Sequence, residues 1–282
     1  MKNPPRHIAD QKITCRPFIK WVGGKSQLIT ELLRRVPSDI RCYYEPFIGG
    51  GALFFALQPE HAVLSDVNEE LINTYAAVRN KTNALIRDLQ KHRYEREYFY
   101  EVRNVDREDE YQRWRAVQRA SRFIFLNKTC FNGLYRVNSK GHYNTPFGSY
   151  VNPRIVDRDN LKACSEVLQR AALRIAPFVE IEGEIGKRDF VYFDPPYVPL
   201  NRTSSFTSYS RDGFDLKMQQ ELFELCCRLD KRGVRFMLSN SSAPFVKNLY
   251  KRFKVELIGA TRSINSKATK RGKVDEVVVT NY

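Results

Sequence analysis

The sequence predicts an α/β fold: a sheet flanked by helices, with a helical segment inserted between its two halves. Three observations carry this. A strand, a glycine-rich turn, a helix, a second strand and an acid follow one another within residues 41–66. A further apolar, β-rich run, residues 188–193, ends abruptly at Asp194-Pro195-Pro196-Tyr197. Between them, residues 69–126 carry helical rather than strand periodicity. Strands alternating with helices are the signature of a layered α/β domain.

Taken in order, residues 1–16 are polar and proline-bearing and read as a flexible arm. Phe18-Ile19-Lys20-Trp21-Val22-Gly23-Gly24-Lys25-Ser26 follows. Its tail resembles a P-loop, but that motif needs glycine where Ile19 stands, so a nucleotide triphosphatase is not expected. A glycine turn into a helix over residues 26–35 is the better reading, with Lys25 and the helix start suited to a ligand carboxylate. Residues 41–47 form the first core strand and run into Glu45-Pro46-Phe47-Ile48-Gly49-Gly50-Gly51. Glycines between strand and helix let a ligand approach the backbone closely. A helix over 52–57 and a strand over 62–66 come next, ending in Asp66. An acid there commonly accepts hydrogen bonds from ribose hydroxyls.

In the helical segment, Leu71, Ile72, Tyr75 and Val78 make one apolar face, continued by Leu85, Ile86 and Leu89. Trp114, Val117, Ala120, Ile124 and Phe125 make a later one. These are bundle core. Residues 127–150 change character: basic and aromatic side chains interleave with glycine and asparagine. Asn138 to Gly141 suits a hairpin turn. Arginine and amides match base edges, and aromatics stack or wedge, so this composition suits a nucleic-acid probe.

A helix over 158–173 leads to the apolar run 176–181 and on to the strand before Asp194. Two prolines after a strand forbid its continuation and fix a rigid turn. The turn presents the Asp194 carboxylate, the Pro195 carbonyl and the Tyr197 ring at the sheet's carboxyl edge, where open α/β sheets bind ligands. Two acceptors beside an aromatic face suit methyl transfer to an exocyclic amino nitrogen. Such a nitrogen is a poor nucleophile because its lone pair is delocalised into the ring. Accepting both N–H groups draws that pair out of the ring plane, while the aromatic face stacks on the base and favours a sulfonium cation. Residues 201–213 are Ser/Thr/Tyr-rich and suit a mobile lid. A helix over 214–230 capped by Asp215, a strand over 234–238, a helix over 243–250 and strands over 253–258 and 276–281 complete the chain. Residues 262–273 are basic and suit phosphate contact.

The 282 residues carry a net charge of +15, which points to a polyanionic partner, nucleic acid before membrane. No run approaches a membrane span or a signal-peptide core, so a membrane role is not expected. The six cysteines, Cys15, Cys42, Cys130, Cys164, Cys226 and Cys227, contain no CxxC pair and suit a reduced, cytoplasmic protein. His7, His61, His92 and His142 lack ligand spacing, so no metal is expected.

Together these segments resemble the Dam family of DNA adenine-N6 methyltransferases. The resemblance runs through FIKWVGGK at 18–25, EPFIGGG at 45–51, Asp66, FNGLYRVN at 131–138, TPFGSY at 145–150, DPPY at 194–197, FTSY at 206–209 and RSIN…KVDE at 262–276. Their order matches the alpha arrangement of amino-methyltransferases. The resemblance implies a Rossmann-like core with a seven-stranded mixed sheet that binds S-adenosyl-L-methionine, built from 17–68 and 157–282. It implies a helical target-recognition domain with a β-hairpin over 69–156, and a target adenine flipped out of duplex DNA into the DPPY pocket. Catalysis falls on Asp194, Pro195, Pro196 and Tyr197. Cofactor contacts fall on Trp21, Lys25, Asp66 and Asp194, with Glu45, Phe47, Gly49 and Gly51 as the floor. DNA contacts fall on Lys20 and Arg136 at guanine, Leu134 and Pro146 at thymine methyls, and Asn132 and Tyr150 nearby. Phe131 stands where the family usually intercalates tyrosine, keeping the stacking face without the hydroxyl. GATC is the expected site and a monomer the expected state. The alternatives are a methyltransferase for cytosine-N4, RNA or glutamine amide, and a catalytically silent DNA-binding relative. The aspartate of DPPY argues against cytosine-N4 and glutamine enzymes. The intact Asp66 and glycine turn argue against a silent one.

Overall fold

The computed structural model describes residues 13–199, 214–261 and 273–282. Its centre is a seven-stranded sheet formed by β1 (Tyr43–Glu45), β2 (Ala62–Asp66), β3 (Ala171–Ile175), β4 (Phe190–Phe193), β5 (Arg235–Ser241), β6 (Lys254–Thr261) and β7 (Lys273–Thr280). The order is β3-β2-β1-β4-β5-β7-β6. The first five of these strands pair in parallel, while β7 pairs antiparallel with both β5 and β6. The sheet is therefore mixed.

Strands β1 and β4 are buried along their whole length, as parallel strands covered on both faces must be. Their residues still alternate, but between two cores. Tyr43, Leu64, Phe190, Tyr192, Met237 and Val278 enter one core. Tyr44, Val63, Val191, Phe193, Phe236, Val277 and Val279 enter the other. The period of two thus separates two apolar layers rather than apolar from polar.

The first layer takes α1 (Ile29–Leu33), α2 (Ala52–Leu57), α3 (Glu69–Asn80), α4 (Thr82–Leu89), part of α6 (Ala116–Thr129) and α7 (Arg158–Leu168). The second takes the 3-10 turn Phe178–Gly183, α8 (Leu216–Lys231) and α9 (Pro244–Leu249). A small third core gathers Phe99 and Val102 of α5 (Arg96–Asn104) with Phe125, Leu126, Cys130 and Tyr143. Helices α3 and α4 share the first core with the sheet, so packing runs on without a break across residue 68.

Four readings change. Residues 13–16 are not loose: Gln58 holds the backbone of Ile13, and Asn160 and Asp157 hold Arg16. The first helix is one turn of five residues beginning at Ile29, so no helix start lies beside Lys25. The helix expected to reach 173 stops at Leu168, and 171–175 is the edge strand β3. The hairpin of 127–150 is closed by two isolated bridges, Cys130 with Phe147 and Val137 with Tyr143, rather than by a ladder. Its turn is where expected, Gly141 N–H donating to the Asn138 carbonyl. The expected lid at 201–213 and all but the last residue of the basic stretch 262–273 lie outside the described residues, as do residues 1–12.

Candidate active site

The strand order reverses at β1, which has β2 on one side and β4 on the other. Crevices form at such switch points beyond the carboxyl ends of the strands. Three acids stand there: Glu45 ending β1, Asp66 ending β2 and Asp194 following β4.

The turn after β1 is shaped by its glycines. Gly51 has φ 66°, and a Cβ on it would lie 2.7 Å from the Tyr75 hydroxyl oxygen. Gly49 has φ 45°, and a Cβ there would lie 2.6 Å from the Trp21 indole. Any side chain would therefore fill the cradle or push Trp21 out of it. The turn is further pinned by Tyr75, whose hydroxyl donates to the Gly49 carbonyl at 3.0 Å, and by Asp66, which accepts from Gly49 N–H at 3.4 Å and Asn68 N–H at 3.0 Å. Burial pushes the Asp66 carboxyl above its ordinary range, against those backbone donors. Glu45 is buried behind the crevice and accepts from the Tyr43 hydroxyl at 2.8 Å; burial raises its pKa well above normal. Phe47 points into the second core, stacked on Phe178 at 5.4 Å and edge-on to Phe214 at 5.5 Å.

Asp194 is the centre of charge. The buried Lys25 ammonium lies 2.8 Å from its Oδ1, donates to the Gly23 carbonyl and sits 4.6 Å from the Tyr197 ring centre. Oδ1 is buried and paired with that ammonium, while the Asp194 side chain as a whole keeps 21% of its surface exposed. Burial raises the Asp194 pKa and the Lys25 charge opposes the rise. A carboxylate has more lone pairs than one ammonium uses, so Asp194 can still accept a hydrogen bond from a ligand on its exposed side. Of the two prolines, Pro195 is buried, and Pro196 accepts a hydrogen bond from Gln219 of α8 at 2.9 Å, which fixes the turn from behind. Tyr197 is tethered too, its hydroxyl donating to Glu276 of β7 at 2.6 Å.

The loop residues form a second group. Phe131, half exposed, donates its N–H to the Pro146 carbonyl at 2.9 Å, and Asn132 adopts φ 56°. Leu134 offers its carbonyl to Tyr143 and Thr145. Exposed Arg136 is held by Asn144 through Nε at 2.6 Å and Nη2 at 3.2 Å, which leaves Nη1 outward. The two groups meet at neighbouring residues. Lys20 places its ammonium 4.2 Å from the Tyr150 ring centre, while Trp21 lies in the glycine cradle and stacks on Tyr135 at 5.9 Å. Buried Asn127 of α6 clips them together. It accepts from Lys20 N–H at 2.8 Å and donates to the carbonyls of Lys20 at 2.8 Å and Gly133 at 3.0 Å. Asn127, Tyr135, Asn144 and Glu276 were not picked out from sequence. All four lie in or beside segments that carry the resemblance, but only proximity across the fold gives each a partner.

Residues 21–264 match the model of the D12 class N6 adenine-specific DNA methyltransferases. The chain belongs to that family. It is an adenine-specific DNA methyltransferase of the D12 class, and its seven-stranded mixed sheet with helices on both faces fits such an enzyme. It is 45% identical over 279 residues to a type II methyltransferase of Lactococcus lactis subsp. cremoris, M1.LlaDCHI, with 98% of each chain covered. It is 40% identical over 290 residues to the type II methyltransferase M.MjaIII of Methanocaldococcus jannaschii, covering 95% of this chain and 99% of that one. It is 33% identical over 269 residues to a DNA adenine methylase of Vibrio cholerae, covering 93% and 95%. Among the described residues of this D12 methyltransferase, no helix is long and apolar enough to cross a membrane, and no cluster of three or more His, Cys, Asp or Glu is placed to hold a metal ion.

Proposed function

We propose that this D12 methyltransferase transfers a methyl group from S-adenosyl-L-methionine to the exocyclic N6 of an adenine flipped out of duplex DNA, at GATC. The observation that carries the chemistry is the Asp194 carboxylate: paired with the buried Lys25 ammonium, partly open on its other side, and beside Tyr197 at the switch point of the sheet. The crevice fits the cofactor on its own chemistry. Asp66 offers a carboxylate for ribose hydroxyls, the Gly49–Gly51 cradle takes a ligand where no Cβ can stand, and Trp21 gives an aromatic wall. Lys25 and Asp194 bring one charge of each sign for its amino-acid end and its sulfonium. When bound, the cofactor supplies an electrophilic methyl on a positively charged sulfur.

The residues then act on the adenine. Asp194 accepts one N6 hydrogen and the Pro195 carbonyl the other, which localises the lone pair on nitrogen. Tyr197 stacks on the base and holds it in place of its lost neighbours. The orienting groups are set before the substrate arrives, so little reorganisation opposes the reaction. Specificity is read by the second group. Nη1 and the free hydrogen of Nη2 on Arg136 match the acceptors of guanine, Lys20 reaches a base near the flipped adenine, and Leu134 and Pro146 meet thymine methyls. Phe131 wedges into the stack. The net charge of +15 supplies the phosphate attraction.

Labelled methyl transfer from S-adenosyl-L-methionine to duplex DNA tests the reading, followed by identification of the modified base and its sequence. N6-methyladenine confined to GATC is expected. Methylcytosine, or no transfer to DNA, would overturn the chemistry; methyladenine at another sequence would overturn only the assignment of readers.

A further inference from the structure

We infer that Glu276 is a positioning residue for the reaction: it fixes the plane of the Tyr197 ring on which the target adenine stacks. The inference rests on the adenine-N6 reading above. Tyr197 belongs to a loop that leaves the sheet after β4, and a loop alone does not orient a ring. Its hydroxyl is 2.6 Å from Glu276 Oε2, a short charge-assisted hydrogen bond. Glu276 comes from the opposite end of the chain order, 79 residues on. Its backbone lies in β7 between two neighbours, opposite Ser241 of β5 and Ile258 of β6. The carboxylate is therefore carried by a strand that is paired on both sides. Through it the tyrosine is tied at both ends, by the proline turn at its backbone and by the sheet at its hydroxyl.

The arrangement also explains why the motif ends in tyrosine here rather than in phenylalanine. The ring face serves the base, whereas the hydroxyl donates to Glu276 and also lies close enough to Asp194 to favour its charged form. Among the described residues Glu276 is the partner that ties it to the sheet. Losing that partner frees the ring to turn about its side-chain torsions without removing any group that touches the substrate.

Three single variants and one double variant test this, with steady-state kinetics on a duplex carrying one GATC. Glu276→Ala should lower kcat about tenfold or more, with KM for the cofactor and DNA affinity within about twofold of the parent. Tyr197→Phe keeps the ring and loses the donor, so it should match that loss. The double variant should be no slower than either single one, because both break the same bond. Glu276→Gln keeps an oxygen acceptor and should recover most of the rate. Parental kcat in Glu276→Ala or in Tyr197→Phe would overturn the inference, as would additive losses. A glutamine variant as slow as alanine would also overturn it, since charge rather than ring placement would then be the cause. Where Glu276→Ala does not fold, Tyr197→Phe and Glu276→Gln still decide. A parent enzyme that methylates no adenine would instead defeat the functional reading itself.

Discussion

Asp194 shows how much one side chain can be asked to do. Its carboxylate is paired through Oδ1 with the buried Lys25 ammonium and stays partly open on its other side. Asp194→Asn keeps the shape and an acceptor oxygen but removes the negative charge that pulls on the adenine hydrogens. Turnover should fall on the order of a hundredfold, as for a lost preorganised contact. DNA affinity, set mainly by phosphate contacts, should change little. Near-parental turnover would remove Asp194 from the chemistry. The same substitution strips the buried Lys25 of its counter-charge, so a lower Tm is expected beside the lost rate. Asp66→Ala should act differently. A ribose acceptor lost from the crevice costs about 1.5–3 kcal/mol of cofactor affinity, and Gly49 N–H loses its partner as well. Calorimetry showing unchanged affinity would move the ribose elsewhere. Both acids were legible in sequence because an acid at the end of a core strand needs only its own position to be noticed. Asn127 and Glu276 were not, since their partners stand 107 and 79 residues away and neither residue type is unusual where it sits.

At the scale of elements, what was legible depended on how local the cause is. Strand β2 and helix α2 match their expected limits because a buried run, a glycine turn and an acid fix both ends. Asp215 caps α8, accepting from Met218 N–H at 2.9 Å, again a local bond. Strand β3 escaped because Ala171, Ala172, Leu173 and Arg174 favour helix, and only pairing with β2 makes them strand. The conformation of the 127–150 loop is less legible because side chains, not a ladder, hold it. Tyr94 donates to the Gly148 carbonyl and accepts from Tyr150 N–H, Tyr150 donates to the Cys130 carbonyl, and Asn127 ties Gly133 to Lys20. This gives a prediction for the clip. Asn127→Ala leaves the part-buried Lys20 N–H and the carbonyls of Lys20 and Gly133 without this partner, a loss of about 1–3 kcal/mol in stability. Because it joins the 127–150 loop to the segment that carries Trp21, selectivity should suffer beyond that loss on the proposed assignment of readers. The ratio of kcat/KM on GATC to that on a site with one altered guanine should fall several-fold at a temperature where the variant is fully folded. A destabilised but equally selective variant would reduce Asn127 to a packing residue.

The described residues make two apolar layers on one sheet with a third, smaller core carrying the 127–150 loop. The alternation of each strand between layers explains why its apolar runs look continuous in sequence. The third core contains the acid-sensitive joint. His92 lies after α4, stacked on Phe125 of α6 at 4.4 Å, with Nδ1 2.8 Å from the Tyr98 hydroxyl and Nε2 3.1 Å from the Ser121 hydroxyl. Burial pushes its pKa down to about 4 from an ordinary 6.5. The folded protein therefore keeps His92 neutral where the unfolded chain takes up a proton. That makes the unfolded state the stronger proton binder between pH 6.5 and 4, so stability must fall as pH drops through this window. The contribution is fully present above pH 6.5 and lost by about pH 4. Between pH 7 and pH 5 it amounts to about 2 kcal/mol, or a few degrees of Tm. His92→Gln should be less stable than the parent at pH 7, having lost the stack. Its Tm should nonetheless fall less on going to pH 5, because glutamine takes up no proton. Parallel pH profiles for parent and variant, recorded by circular dichroism, would show that His92 titrates normally and that the joint is open to water.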